Sequence, residues 1–162
     1  MTGREDMIMA EKILVVDDDE TLAHLLVNLL TLHGYQATKT TKGEQALRVV
    51  SDDTPDLILL DILLPELNGF DVLTKLRKNP VTRDIPVIII SGLSDELYVL
   101  EGWVRDSDGY ISKPFKPDEL LDTIKVVLSR TTQERHMERA ERIDFLLQKL
   151  CECEDSKLEN VV

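Results

Sequence analysis

Two runs in the chain, "LILL" at 57–60 and "IPVIII" at 85–90, are apolar at consecutive positions instead of every second one. A strand with one face in water alternates, so strands that do not alternate must be covered on both faces. That requirement argues against an open antiparallel sheet and asks for helices above and below. The chain supplies them in turn. After Ile13–Val16, the residues Leu22, Leu25, Leu26, Leu29 and Leu30 fall at i, i+3, i+4, i+7 and i+8, one buried helical stripe that Gly34 closes. A weaker strand follows at 35–40 and a helix at 44–50. Pro55 opens the third strand, and the turn signals of "PELNG" lead into a helix through Leu73 and Leu76. The loop "NPVTRDIP" precedes "VIII", a polar helix spans 94–105, "GYIS" is a last strand, and Pro117 starts a helix through Leu120, Ile124 and Leu128. Strand then helix, five times over in about 120 residues, predicts an α/β domain with a parallel sheet covered on both faces.

In open parallel sheets, ligands bind beyond the carboxyl ends of the strands. Asp17, Asp18 and Asp19 follow the first strand, Asp61 the third, Ser91 ends the fourth and Lys113 follows the fifth, so all are expected along one edge. Carboxylates gathered there repel by about 4 kcal/mol per pair at 4 Å with an effective dielectric near 20. A hard divalent cation offsets that repulsion. Magnesium, or manganese in its place, takes one or two carboxylates and leaves positions for water and phosphate oxygens. An aspartate in such a site can attack phosphorus, with metal and ammonium balancing the developing charge. On this chemistry Asp61 is the nucleophile, Asp17 and Asp18 hold the metal, Lys113 contacts one phosphoryl oxygen and the Ser91 hydroxyl another. Plainer roles stand beside these. Asp19 and Glu20 suit a helix N-terminus, Asp61 alone could be a turn residue, Lys113 a solvated lysine and Tyr110 a core aromatic. His24, His33 and His136 show no metal spacing.

The segments "ILVVDDDE", "PDLILLDILLPELNGFDVL", "IPVIIISG" and "GYISKPF" resemble, in order and spacing, the signature segments of the receiver domain of bacterial two-component response regulators. The resemblance covers 11–130. It implies a doubly wound five-stranded sheet of flavodoxin-like order 2-1-3-4-5 and phosphotransfer from a sensor histidine kinase or phosphotransfer protein. It matches Asp61 to the phosphoacceptor, Asp17 and Asp18 to the metal acids, and Leu63 to the position whose backbone carbonyl completes the metal site. Ser91 and Tyr110 match the switch pair. Lys113, before a proline expected to be cis, matches the phosphate-contacting lysine. Tyr98 and Trp103 fall where such domains meet partners. The chain departs from the pattern at Asp106 and Ser107, where many receivers carry Gly-Ala, so the loop before the fifth strand is expected to differ. Leu63 and Leu93, two positions beyond Asp61 and Ser91, would overhang a phosphoryl group and hinder attacking water.

With 31 acidic against 19 basic residues the net charge is −12, which disfavours direct contact with nucleic acid or an anionic membrane. The segment before residue 13 lacks the apolar core of a signal peptide and no run is long enough to span a bilayer, so the expected location is cytoplasmic. Cys151 and Cys153, one residue apart in an acidic tail, read as incidental reduced thiols. Three segments are expected: an N-terminal extension at 1–10, the receiver at 11–130 and a C-terminal helical extension at 131–162. In the last, "TTQE" has the Thr-x-x-Glu form of a capping box, predicting a sixth helix from near Thr131, although the fifth helix could instead continue. Ala140, Ile143, Leu147 and Leu150 form a narrow apolar seam that could fold back, dimerise or dock a partner.

The functional expectation is a phosphorylation-dependent switch without its own DNA-binding domain, signalling by contact with a downstream protein. It would catalyse only its own phosphorylation and dephosphorylation at Asp61, and could form a homodimer through the face of the fourth helix, fifth strand and fifth helix or through the C-terminal helix. The alternatives are a phosphotransfer intermediate or an unphosphorylated scaffold. A flavodoxin-like carrier or a small-molecule phosphatase fits less well, because "DDDE" would repel a cofactor phosphate and no substrate pocket is evident.

Overall fold

The computed structural model describes residues 9–159, with side chains described as far as 154. Its elements are β1 (Lys12–Val16), α1 (Glu20–Leu32), β2 (Gln36–Thr40), α2 (Gly43–Asp52), β3 (Leu57–Leu60), α3 (Gly69–Lys78), β4 (Val87–Ser91), α4 (Glu96–Val104), β5 (Gly109–Ser112), α5 (Pro117–Ser129) and α6 (Thr132–Glu159). The five strands are parallel in the order β2-β1-β3-β4-β5. This is the doubly wound, flavodoxin-like sheet with an additional C-terminal helix.

The continuous apolar runs are divided by the pleat. Leu14, Val16, Ile58, Leu60, Val87 and Ile89 face a core completed by Ala46 and Val50 of α2 and Val72, Leu73 and Leu76 of α3. Their neighbours Ile13, Val15, Leu57, Leu59, Ile88 and Ile90 face the opposite core, built with Ala23, Leu26 and Leu30 of α1 and Leu120, Ile124 and Val127 of α5. Each fully buried Leu or Ile contributes about 1.5–3 kcal/mol by leaving water, which is why no position in β3 or β4 is polar before the strand ends.

Local signals set the ends of the helices. Asp19 caps α1, accepting from the Leu22 N–H at 3.1 Å, and Gly34 beyond its end has φ +89°. Asn68 caps α3 through the Asp71 N–H at 3.0 Å, and Pro117 occupies the first turn of α5. The helix α4 is shorter than 94–105 and starts at Glu96. Its Gly102 lies so near the sheet that a Cβ there would meet Ile89 Cδ1 at 2.9 Å.

The fifth helix ends at Ser129 and a separate α6 begins. The capping box forms reciprocally: the Glu134 carboxylate accepts from the Thr131 N–H at 2.7 Å, and the Thr131 hydroxyl accepts from the Glu134 N–H at 3.2 Å. The helix turns back and packs along α4. The face it buries is not the expected seam. Arg135, Arg139 and Leu146 are buried, with Ile143 and Leu150 partly so, whereas Ala140 and Leu147 are exposed. Rotation toward the arginines follows from an acidic partner at the base of α4, described below. Among the described residues no helix is long and apolar enough to cross a membrane.

Candidate phosphoacceptor site

Strand register assembles the site. Val16 pairs with Leu60, so Asp17 and Asp61 occupy the next row together; Ser91 pairs with Ser112, so Lys113 lies just beyond Ser91. Ladder hydrogen bonds continue past the strand ends, with the Asp61 N–H donating to the Val16 carbonyl at 2.9 Å and the Lys113 N–H to the Ser91 carbonyl at 2.8 Å. These backbone groups are fixed by the sheet, so the side chains on them are held without mobile loops.

Asp17 and Asp61 are 3% and 5% exposed, whereas Asp18 faces solvent. Carboxylate oxygens of the three lie within 4.8 Å of one another, a hard-oxygen set of the kind that suits a divalent cation. The Lys113 ammonium bridges the two buried acids, donating to Asp17 Oδ2 at 2.7 Å and Asp61 Oδ2 at 2.9 Å. Their other oxygens accept backbone N–H groups, of Asp19 at 2.9 Å for Asp17 and of Leu63 at 3.2 Å for Asp61. The peptide bond between Lys113 and Pro114 is cis.

Burial pushes the Asp61 carboxyl above the ordinary 3.8, and the Asp17 charge adds to this, against the opposing pull of Lys113. For Lys113, burial alone would lower the value, but hydrogen bonds to Asp17 and Asp61 outweigh it and the ammonium is held above 10.5. One lysine therefore serves two carboxylates, and Asp61 is left undercompensated.

Ser91 is fully buried and its Oγ accepts the Leu93 N–H at 3.2 Å. The Tyr110 hydroxyl, half-buried, donates to the Leu93 carbonyl, and burial pushes it up to about 12. Ser91 and Tyr110 thus hold the two peptide groups that flank Leu93 in the β4–α4 loop. The Leu63 side chain is 57% exposed at the rim. Beside the site, Leu22, Leu25 and Leu29 of α1 with Pro114 and Phe115 line an apolar groove that reaches Lys113.

Residues outside the sequence-derived set also shape this region. A Cβ on Gly69 would lie 2.1 Å from the Asp61 carbonyl oxygen, so only glycine lets α3 start against the Asp61 peptide; the run "NG" signalled a turn there but not this contact. At the opposite end of the sheet, Asp108 is buried and takes Arg77 at 2.9 Å, Arg139 at 2.9 Å and Arg135 at 3.6 Å. Asp106 has φ +70° and its carboxylate pairs with Arg139 at 3.4 Å, while the Ser107 backbone carbonyl accepts from Arg139 at 3.0 Å, so Asp106 gives this loop a side-chain contact to α6 that a glycine would lack. Trp103 is buried and Tyr98 is 38% exposed.

A doubly wound sheet carrying two buried acids, a bridging lysine and a buried serine on its carboxyl edge defines a receiver domain of the response-regulator class. The chain belongs to the response regulator receiver domain family, whose description matches residues 13–125. It is 39% identical over 126 residues to the "DNA-binding response regulator MtrA" of Mycolicibacterium paratuberculosis, covering 78% of this chain and 55% of that one. To the "Phosphate regulon transcriptional regulatory protein PhoB" of Pseudomonas aeruginosa it is 36% identical, covering 76% and 54%. The chain spans about half the length of the curated relatives it matches. Among solved structures, a response regulator from Chloroflexus aurantiacus superposes with a TM-score of 0.72 at 31% identity, over 75% of this chain and all of that one. The chain is thus a receiver domain of a response regulator, consistent with phosphorylation-dependent signalling.

Proposed function

We propose that Asp61 accepts a phosphoryl group from a histidine kinase or phosphotransfer protein, and that the resulting acyl phosphate changes a surface read by a downstream protein. The observation that carries this is the Lys113 bridge between Asp17 and Asp61 at 2.7 and 2.9 Å, beside an exposed third acid. Asp17, Asp18, Asp61 and the Leu63 backbone carbonyl would hold Mg2+, which when bound supplies positive charge to phosphoryl oxygens.

An Asp61 carboxylate oxygen attacks phosphorus as the bond to the donor's imidazole nitrogen breaks, and that nitrogen takes up a proton from solvent. Lys113 exchanges a carboxylate partner for a phosphoryl oxygen and offsets the charge gathering there. The Ser91 hydroxyl turns from Leu93 to a second phosphoryl oxygen, a stronger acceptor than its present surroundings offer. Tyr110, bonded to the carbonyl of the same Leu93, follows that movement. The chemistry is confined to the chain's own aspartate, so the protein acts as a self-modifying switch and not as an enzyme on an external substrate. Its net charge of −12 supports output through protein contact over direct nucleic-acid contact by this segment.

Intact-mass measurement after incubation with acetyl phosphate and Mg2+ tests this. One added phosphoryl group in the wild type, absent from Asp61→Asn and from metal-free samples, is expected. Phosphorylation of Asp61→Asn to the same extent would refute the assignment.

A further inference from the structure

The helix α6 is pinned to both ends of α4 and runs antiparallel to it. At the amino end of α4, Lys149 pairs with the Glu96 carboxylate. Beyond the carboxyl end, Arg139 pairs with Asp106 at 3.4 Å and with Asp108 at 2.9 Å, joined by Arg135. Between these pins lies the buried Leu146, and Trp103 of α4 shares a groove with Glu138 and Arg142 of α6. That groove also contains Tyr110 and Val126, so α6 forms one wall of the surface where α4, β5 and α5 meet.

The lower pin is built so that it can open. Asp108 divides its two oxygens between separate partners. Its Oδ2 accepts from Arg77 and from the Val87 N–H, each at 2.9 Å, within the receiver itself. Among the described residues its Oδ1 serves only α6, through Arg139 and Arg135. Departure of α6 leaves the buried carboxylate with a guanidinium and a backbone donor, while both freed arginines enter water. No buried charge is stranded by undocking, which is the usual obstacle to breaking an ion pair of this depth.

The upper pin is tied to the site. Leu93 is held at its N–H by Ser91 Oγ and at its carbonyl by the Tyr110 hydroxyl, and α4 begins at Glu96, three residues on. Any rearrangement at Leu93 is therefore transmitted to the residue that holds Lys149.

We propose that α6 is an intramolecular cover on α4, docked in the unphosphorylated protein and released when Asp61 is phosphorylated. This rests on the phosphoacceptor assignment above. Because linkage is reciprocal, docking of α6 opposes the phosphorylated arrangement to the same degree that phosphorylation opposes docking.

The test uses the full chain with Mg2+ and beryllofluoride as the phosphoryl analogue. Fluorine NMR reports occupancy at Asp61, and hydrogen exchange reports α6. Bound beryllofluoride should accelerate exchange across 135–150 by about tenfold, within the usual range of coupling between sites. Lys149→Ala, at a half-exposed side chain outside the core, should tighten beryllofluoride binding by about two- to fivefold. Bound beryllofluoride with unchanged α6 exchange, or Lys149→Ala with wild-type affinity, overturns the cover while leaving the phosphoacceptor assignment standing. Absence of any bound fluorine signal removes that assignment and the cover together.

Discussion

Replacing Asp61 by Asn separates the electrostatic cost of the site from its benefit. In the metal-free protein the Asp61 carboxylate lies within 4.8 Å of Asp17, a repulsion of at least about 3.5 kcal/mol at an effective dielectric of 20. Asp18 adds less, because it is exposed and screened. Lys113 at 2.9 Å returns about 6 kcal/mol on the same scale. Removing a carboxylate from water costs several kcal/mol more, and the sum is unfavourable, in keeping with the upward shift of Asp61. An asparagine retains an acceptor for the Leu63 N–H and for Lys113 without the charge. Asp61→Asn is therefore expected to stabilise the protein in chelator by about 1 kcal/mol, raising Tm by about 2–4 °C. Magnesium should reverse the ranking, since at a hundred times Kd it stabilises the wild type by about 2.7 kcal/mol and the variant by less. Differential scanning calorimetry with and without Mg2+ measures both. A variant less stable than wild type in chelator, with an undiminished magnesium response, would refute the reasoning.

The same shift fixes a pH dependence. A carboxyl whose folded value is raised binds more protons when folded, so metal-free stability falls as pH climbs from 3.8 through the raised value. The Tm gap between Asp61→Asn and wild type should widen over that window; parallel curves would contradict it. Gly69→Ala drives a Cβ to 2.1 Å from the Asp61 carbonyl oxygen, and a loss of about 2–3 kcal/mol in urea unfolding is expected. No loss would show that α3 can shift freely. Leu63→Asn exchanges an apolar rim side chain for one that can hold water, and the phosphorylated state should hydrolyse about fivefold faster, ~1 kcal/mol in barrier. An unchanged half-life would remove the shielding role.

Much of the architecture was legible because burial on both faces leaves a signature within single strands. "LILL" and "VIII" fixed two central strands, and the acid, serine and lysine at strand ends marked the edge, since parallel register needs no distant partner to align them. The order of strands came through the family resemblance. The base of α4 was opaque for a physical reason. Asp108 meets Arg77, Arg135 and Arg139 across separations of about thirty residues, and an ion pair carries no periodicity. Arginines on a helix look the same whether they face water or a buried carboxylate. The seam through Ala140 and Leu147 was chosen by apolarity alone, and the structure instead buries the arginine side, because Asp108 attracts it. Trp103, expected at a partner-facing surface, is instead buried beside α6, a helix whose placement no local pattern signals.

The length of α6 gives its anchoring a mechanical meaning. Its 28 residues extend about 42 Å at 1.5 Å per residue, whereas α4 has nine residues and extends about 14 Å. Pivoting on Arg139, the far end at Glu159 lies twenty residues away, about 30 Å, so a tilt of about 10° sweeps it through about 5 Å. A displacement of ångström scale at Glu96, which holds Lys149 ten residues or about 15 Å from that pivot, is about doubled at Glu159. The helix is a lever held part-way along its length at Lys149, and the ten residues beyond that hold double its stroke.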